Sequence, residues 1–139
     1  MLLKKLLRLA DKLKIDVYFL EELWDDGCYL AEFDLIYIKV GLGERKTIYT
    51  LAHELGHAIN HKDFGILYAS SASFHSKMEF EAELVAIKTV LQHYNSFEDL
   101  EIDQVDFMRF MDCYEIDYSF EEVVKEVLYA YYKPKACNF

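Results

Sequence analysis

The sequence predicts an α+β fold: a small three-stranded sheet packed with helices. Three observations point there. Residues 15–40 hold three short runs rich in β-branched and aromatic residues, separated by turn signals. Most of the remaining chain places apolar residues at helical spacing. Pro and Gly are scarce, one and five in 139 residues, which leaves little room for long irregular connections. Hydrophobic residues at 53% and charged residues at 29% describe a globular composition. The length suits one domain with a substantial core. Residues 1–139 read as that domain, with a core over about 10–95 and a helical extension over about 96–139.

Taken in order, Leu2, Leu3, Leu6, Leu9 and Leu13 recur at helical spacing and predict a helix over 2–14. Lys4, Lys5 and Arg8 interrupt its apolar run and no small-residue cleavage site follows, so it reads as a packed amphipathic helix and not as a signal peptide. Strands are expected at 15–20 (IDVYFL), 28–33 (CYLAEF) and 35–40 (LIYIKV). Asp26-Gly27 marks the first turn, and Asp34 a tight hairpin between the last two strands. GLGERK (41–46) is a loop whose isolated GxG lacks the rest of a phosphate-binding pattern. Residues 44–61 form one helix. A loop with Asp63, Gly65 and SSASFHS spans 62–76, and a second long helix runs from about Lys77 to Tyr94, broken by Asn95-Ser96. Shorter helices are expected at 97–113 and 119–132, the latter with Ser119 as N-cap and Glu122 three residues on.

The formal net charge is −10, which argues against a nucleic-acid-binding surface, since such surfaces need basic residues to displace counterions. No segment is long and apolar enough to span a bilayer. Cys28, Cys113 and Cys137 are odd in number, widely spaced and without a CxxC pair, so a cysteine zinc site is not expected and a reducing compartment is.

The chemistry concentrates in TLAHELGHAIN, residues 50–60. At about 100° per residue, Ile48, Leu51, Ala52, Leu55 and Ile59 share one arc, while His53, Glu54 and His57 fall on the other side. Side chains at i and i+4 stand one above the other, so both imidazoles can reach one Zn²⁺ at about 2.0–2.1 Å. Glu54 points too far round to ligate easily and is placed to hold and deprotonate a water. This is the HEXXH pattern of metal-assisted hydrolysis. Gly56 within it allows another backbone or a ligand to come close.

A catalytic zinc site takes three protein ligands and keeps an open position. The following helix, KMEFEAELVAIKTVL (77–91), offers Glu79 as the third ligand. Glu83, at i+4, can accept the other ring N–H of a zinc histidine. Glu81 and Glu83 are alternative ligands, and a solvated acidic face is the plainer reading of all three. Phe80, Leu84, Ile87 and Leu91 form the expected apolar stripe, with Ala82 and Ala86 as small packing positions. His61, one turn beyond His57, is expected to line the cleft, to support a ligand or simply to be solvated. The third histidine of a metzincin would fall at position 63, which is Asp63. His75 reads first as a plain loop histidine, with lining the cleft or stabilising an oxyanion as its functional alternatives, and Tyr68 is a second candidate oxyanion donor. His93 ends its helix, where the negative dipole suits it.

HELGHAINH followed by EFEAELVA resembles the ImmA/IrrE family of zinc metallopeptidases, whose helix pair reads HELGH and then E-x-x-A-N-x-F-A. Glu79, Ala82 and Ala86 match that pattern; Glu83 stands at the Asn position and Val85 at the Phe position. The family's Leu-Leu-Met-Pro ending is replaced by VLQHYNSF. The resemblance covers roughly residues 10–92. It implies a gluzincin-like metalloprotease core, a bound Zn²⁺ and a cytoplasmic setting. It also implies cleavage of a regulatory protein, a helix-turn-helix repressor of a phage or mobile element. The rival readings are a non-catalytic binding module of the same fold that sequesters a regulator, and a small structural protein with surface histidines.

The acidic balance predicts that the isolated protein binds duplex DNA poorly at physiological salt. A gel-shift titration checks this, and a salt-dependent, submicromolar complex would contradict it.

Overall fold

A computed structural model describes residues 1–61, 72–98 and 106–131, apart from the side chains at 72–75, 95–98 and 131. Among the described residues, five helices and a three-stranded mixed sheet give an α+β architecture. Helix α1 (Leu2–Lys12) buries Leu6 and Ala10 and ends two residues earlier than its apolar spacing suggests. Lys14 takes a left-handed conformation, φ 60°, and donates to the Asp11 carbonyl at 3.0 Å. Ile15 then donates to the Ala10 carbonyl at 2.9 Å and buries its side chain. The paired bonds satisfy carbonyls that the helix end would leave open.

The sheet is ordered β1 (Asp16–Leu20), β3 (Leu35–Lys39), β2 (Gly27–Leu30). The central strand β3 runs parallel to β1, with Asp16 opposite Leu35, and antiparallel to β2, with Gly27 opposite Ile38. Ile36 and Ile38 alternate onto the buried face, as the two-residue period of a strand requires. The second strand stops at Leu30, short of the expected Phe33. Ala31–Phe33 wind into a 3-10 turn, and Asp34, at φ 51°, completes the reversal into β3. Aspartate tolerates that left-handed conformation better than most residues.

Helix α2 (Glu44–His61) runs as the sequence predicts, between the sheet and helix α3 (Ala72–Glu98). Ile48, Leu51, Ala52 and Leu55 are buried as expected, but Ile59 is 53% exposed. The last turn buries Ala58 and His61 instead, because Glu81 of α3 meets that side of the helix. Helix α3 also departs from expectation. It begins at Ala72 and passes through Asn95-Ser96 to Glu98. Asn and Ser each weaken a helix interior by only about 0.7 kcal/mol or less, so neither need break it once packing favours continuation. His75 therefore lies in a helix rather than a loop, and His93 lies inside the helix rather than at its end. Its buried face carries Met78, Ala82, Ala86, Ile87, Val90 and Leu91, while Phe80 is 46% exposed. Phe80 sits roughly 200° around the helix from Ala82, so turning the alanines inward turns it outward.

Residues 62–71, with Asp63, Gly65 and Tyr68, and residues 99–105 lie outside the described residues. Of the helix expected at 97–113, the described part is α4 (Phe107–Tyr114), capped by Asp106, whose side chain accepts from the Arg109 N–H at 3.1 Å. Glu115 closes it at φ 53°, and the buried Ile116 donates to the Met111 carbonyl at 2.9 Å, repeating the device that ends α1. Helix α5 (Glu121–Tyr131) follows a 3-10 turn at Tyr118–Phe120. Ser119 lies inside that turn rather than capping α5, and Asp117 caps the turn by accepting from the Ser119 N–H at 2.8 Å. Phe110, Met111, Tyr114, Val124 and Leu128 join the same apolar cluster as α1, α2, α3 and β3.

The helices α2 and α3 approach closely at Gly56. A Cβ built there would lie 3.1 Å from the Val85 Cβ and 3.3 Å from the Ala82 Cα. Gly56→Val should therefore lower stability by about 1–3 kcal/mol through overpacking, measured by urea unfolding of metal-free protein. Part of the loss should return in a Val85→Ala background, which opens the space. A Gly56→Val protein as stable as the wild type would contradict this close approach.

Candidate metal centre

The contact at Gly56 and Ala82 fixes which residues meet across the helix pair. His53 and His57 flank Gly56 on α2, and Glu79 and Glu83 flank Ala82 on α3. The Glu79 carboxylate lies across both imidazoles, Oε2 at 3.0 Å from His53 Nε2 and Oε1 at 3.1 Å from His57 Nε2. The two rings stand nearly perpendicular, 81°, with centroids 5.0 Å apart. Glu54 is buried beside them, and one ligand-type atom from each of His53, Glu54 and His57 lies within 4.8 Å of the others.

A second layer backs this group. His53 Nδ1 is 3.1 Å from Glu83 Oε1, and the Tyr49 hydroxyl donates to Glu83 Oε2. His57 Nδ1 is 3.0 Å from His61 Nδ1, and His61 Nε2 is 2.7 Å from Glu81 Oε2. Both His57 and His61 are only 6% exposed.

The electrostatics are those of a cleft with more negative than positive charge. Burial pushes the Glu54 carboxyl up to about 7; the neighbouring His53 opposes the shift, and Glu79, Glu83 and Asp25 add to it. Burial disfavours the charged form of His53. Its hydrogen bonds to Glu79 and Glu83, with the nearby charges of Glu54 and Glu83, outweigh that and raise it to about 10. Burial also raises the Cys28 thiol, as does the charge of Glu54. Burial and then Glu83 push the Tyr49 hydroxyl upward too, keeping it a donor.

These residues fit a divalent metal on two counts. Two imidazole nitrogens and a carboxylate are a hydrolytic zinc donor set. Three carboxylates, Glu54, Glu79 and Glu83, also crowd two imidazoles, and buried charge of one sign is costly without compensation. Lys46 lines the same cleft, but its ammonium is engaged by the Glu115 carbonyl at 3.0 Å and by Asp26 at 3.9 Å. A divalent cation among the imidazoles and Glu79 would balance that charge.

The group opens into a cleft of about 770 Å³. All four residues of β2, an edge strand, line it, along with Glu32 and Phe33 from the turn that follows.

Of the residues singled out from the sequence, His53, Glu54, His57, Glu79, Glu83 and His61 come together in one cluster. The side chain of His75, and Tyr68 altogether, lie outside the described residues. Sequence reasoning missed Tyr49 behind Glu83, Glu81 as the partner of His61, and β2 as a cleft wall. Tyr49 had a readable signal, since it precedes His53 by one helical turn. The other two depend on how α3 and the sheet pack, which no local spacing reports.

Comparison with curated proteins and with solved structures gives no match. The family model for the IrrE N-terminal-like domain, a peptidase family, matches residues 10–109. That span holds the sheet, the whole of α2 and α3 and every residue of the cluster, and the chain belongs to the IrrE N-terminal-like (ImmA/IrrE) family of metallopeptidases.

Proposed function

We propose that the protein is a zinc-dependent peptidase acting on a separate regulatory protein, with His53, His57 and Glu79 holding the metal and Glu54 serving as base. One observation carries the reading. The two imidazole Nε2 atoms converge on the Glu79 carboxylate, with Glu54 buried alongside, in a cleft bounded by an edge strand. Zinc, when bound there, supplies Lewis acidity and lets water react near neutral pH.

The chain's own residues do the rest. Glu83, backed by the Tyr49 hydroxyl, holds the Nδ1 side of His53 and fixes that ring. Glu54 takes the proton of the attacking water and delivers it to the leaving amine nitrogen, a role typically worth about 10²–10⁴-fold. Burial keeps bulk water from competing for that proton. The outer edge of β2 offers backbone N–H and C=O groups to an extended polypeptide, which would lie along the cleft as an added strand.

The resemblance to ImmA/IrrE proteins supports a helix-turn-helix repressor as the substrate, encoded on a phage or mobile element, and the net charge of −10 leaves DNA contact to that partner. Free Cys28 and Cys113 support a cytoplasmic setting. No helix among the described residues is long and apolar enough to cross a membrane. The apolar cluster shared by α1 to α5 supports a single domain, with α4 and α5 of the extension packing on the core.

His53→Ala and His57→Ala should each abolish tight zinc binding, and Glu79→Ala should weaken it strongly, as measured by metal analysis after dialysis. If Glu83→Ala stripped the metal while Glu79→Ala did not, the ligand assignment would be wrong by one helical turn.

Glu54→Gln keeps the size of the side chain but removes the base. It should fold normally and retain zinc, while cleavage falls by at least about 10²-fold. Mass spectrometry of repressors encoded beside the gene, incubated with either form, reads this directly. Equal cleavage by both forms would remove Glu54 as base. A zinc-loaded wild type that binds a neighbouring regulator tightly without cutting it would favour sequestration.

A further inference from the structure

The two candidate metal histidines are supported unequally. His53 meets a carboxylate directly through Nδ1, that of Glu83 at 3.1 Å. His57 has another imidazole in the corresponding place, and the carboxylate stands one residue further out. We propose that Glu81 and His61 form a two-residue relay that fixes the ring and tautomer of His57 for metal binding, making both of them positioning residues. The inference rests on the reading of His57 as a metal ligand.

The hydrogen count determines the direction of the relay. The Nδ1 atoms of His57 and His61 are 3.0 Å apart, so one must donate and the other accept. His57 turns Nε2 towards Glu79, at 3.1 Å. A ligating nitrogen needs its lone pair, so the ring hydrogen of neutral His57 sits on Nδ1. His61 Nδ1 is then the acceptor, and its own hydrogen sits on Nε2. That nitrogen lies 2.7 Å from Glu81 Oε2, the short separation of a bond to a charged acceptor. Each step leaves one assignment, and the carboxylate at the outer end selects it. The ring planes of His57 and His61 meet at 57° with centroids 5.1 Å apart, so the imidazoles are tilted to one another and not stacked. His61 is 6% exposed, and both its nitrogens are satisfied by this chain alone. The parts come from both helices: His57 and His61 from successive turns of α2, Glu81 from α3.

A core histidine with a purely structural role would make the same contacts but leave the metal indifferent to them. The full chain distinguishes the cases by zinc affinity, measured in competition with a chromophoric chelator. His61→Phe fills the ring volume but neither accepts nor donates, and should lower affinity about 10–100-fold, the usual effect of losing a ligand's supporting partner. Glu81→Ala should lower it in the same direction. His61→Gln, whose amide oxygen can accept from His57 and whose NH₂ can donate to Glu81, should restore most of the loss. Urea unfolding of the metal-free variants separates a fold defect from a metal defect.

Histidine ¹⁵N spectra of the zinc-loaded wild type should show His57 protonated at Nδ1 and coupled across the hydrogen bond to His61. In His61→Phe the coupling should vanish while the His53 tautomer is unchanged. A His61→Phe protein that binds zinc as tightly as the wild type would overturn the relay and leave the metal centre standing. A His57 protonated at Nε2 in the loaded protein would overturn both the relay and the reading of His57 as a ligand through Nε2. A wild type that bound no zinc would overturn the metal centre and the relay together.

Discussion

At Gly56 and Ala82 the backbones of α2 and α3 come close enough that a single added carbon would be tighter than ordinary van der Waals contact. The site depends on this approach. It brings Glu79 within 3.1 Å of both imidazole Nε2 atoms and Glu83 within 3.1 Å of His53 Nδ1. A larger residue at position 56 would press on Val85 and Ala82 and shift the two histidines relative to the two glutamates. The same approach orients the rest of α3. Ala82 and Ala86 face inward, and Phe80 is turned outward despite its size.

The cost of the arrangement is an excess of negative charge in a partly buried cleft. Glu54, Glu79 and Glu83 share a cleft whose lysine is held by Asp26 and the Glu115 carbonyl. Burial, with a smaller contribution from Glu79 and Glu83, raises the Glu54 carboxyl, while hydrogen bonds to Glu79 and Glu83 raise His53 against burial. A donor set that draws in positive charge, arranged as two imidazoles and one carboxylate, is the condition a divalent metal satisfies. The family to which the chain belongs is one of metallopeptidases, so the electrostatic argument and the family agree on the kind of chemistry.

Much of this was legible along the chain because helical spacing is a local property. The HEXXH pattern, the bounds of α2 and the existence of three strands follow from residues within a turn or two of one another. The departures have two causes, tertiary packing at Ile59 and Phe80 and local backbone choices at Asn95-Ser96 and Ser119. Ile59 and Phe80 looked like core positions by period but lost that place to Ala58, His61 and Ala82 once α3 docked. Asn95-Ser96 looked like a break but carries too small a helix penalty to end α3. Ser119 matched a capping box, yet it sits inside a 3-10 turn that Asp117 caps. The pairing of His61 with Glu81 has no local signature at all, because it spans twenty residues and two helices.

The central claim is that this cluster is a metal site bounded by His53, His57 and Glu79. Anomalous X-ray diffraction at the zinc edge, on crystals of protein purified without added metal, tests it most directly. The account predicts one strong peak between α2 and α3, within bonding distance of both Nε2 atoms and the Glu79 carboxylate, with Glu54 beside it but not bound. A peak held instead by Glu81 or Glu83, or no peak between the helices while the cluster keeps its geometry, would contradict it.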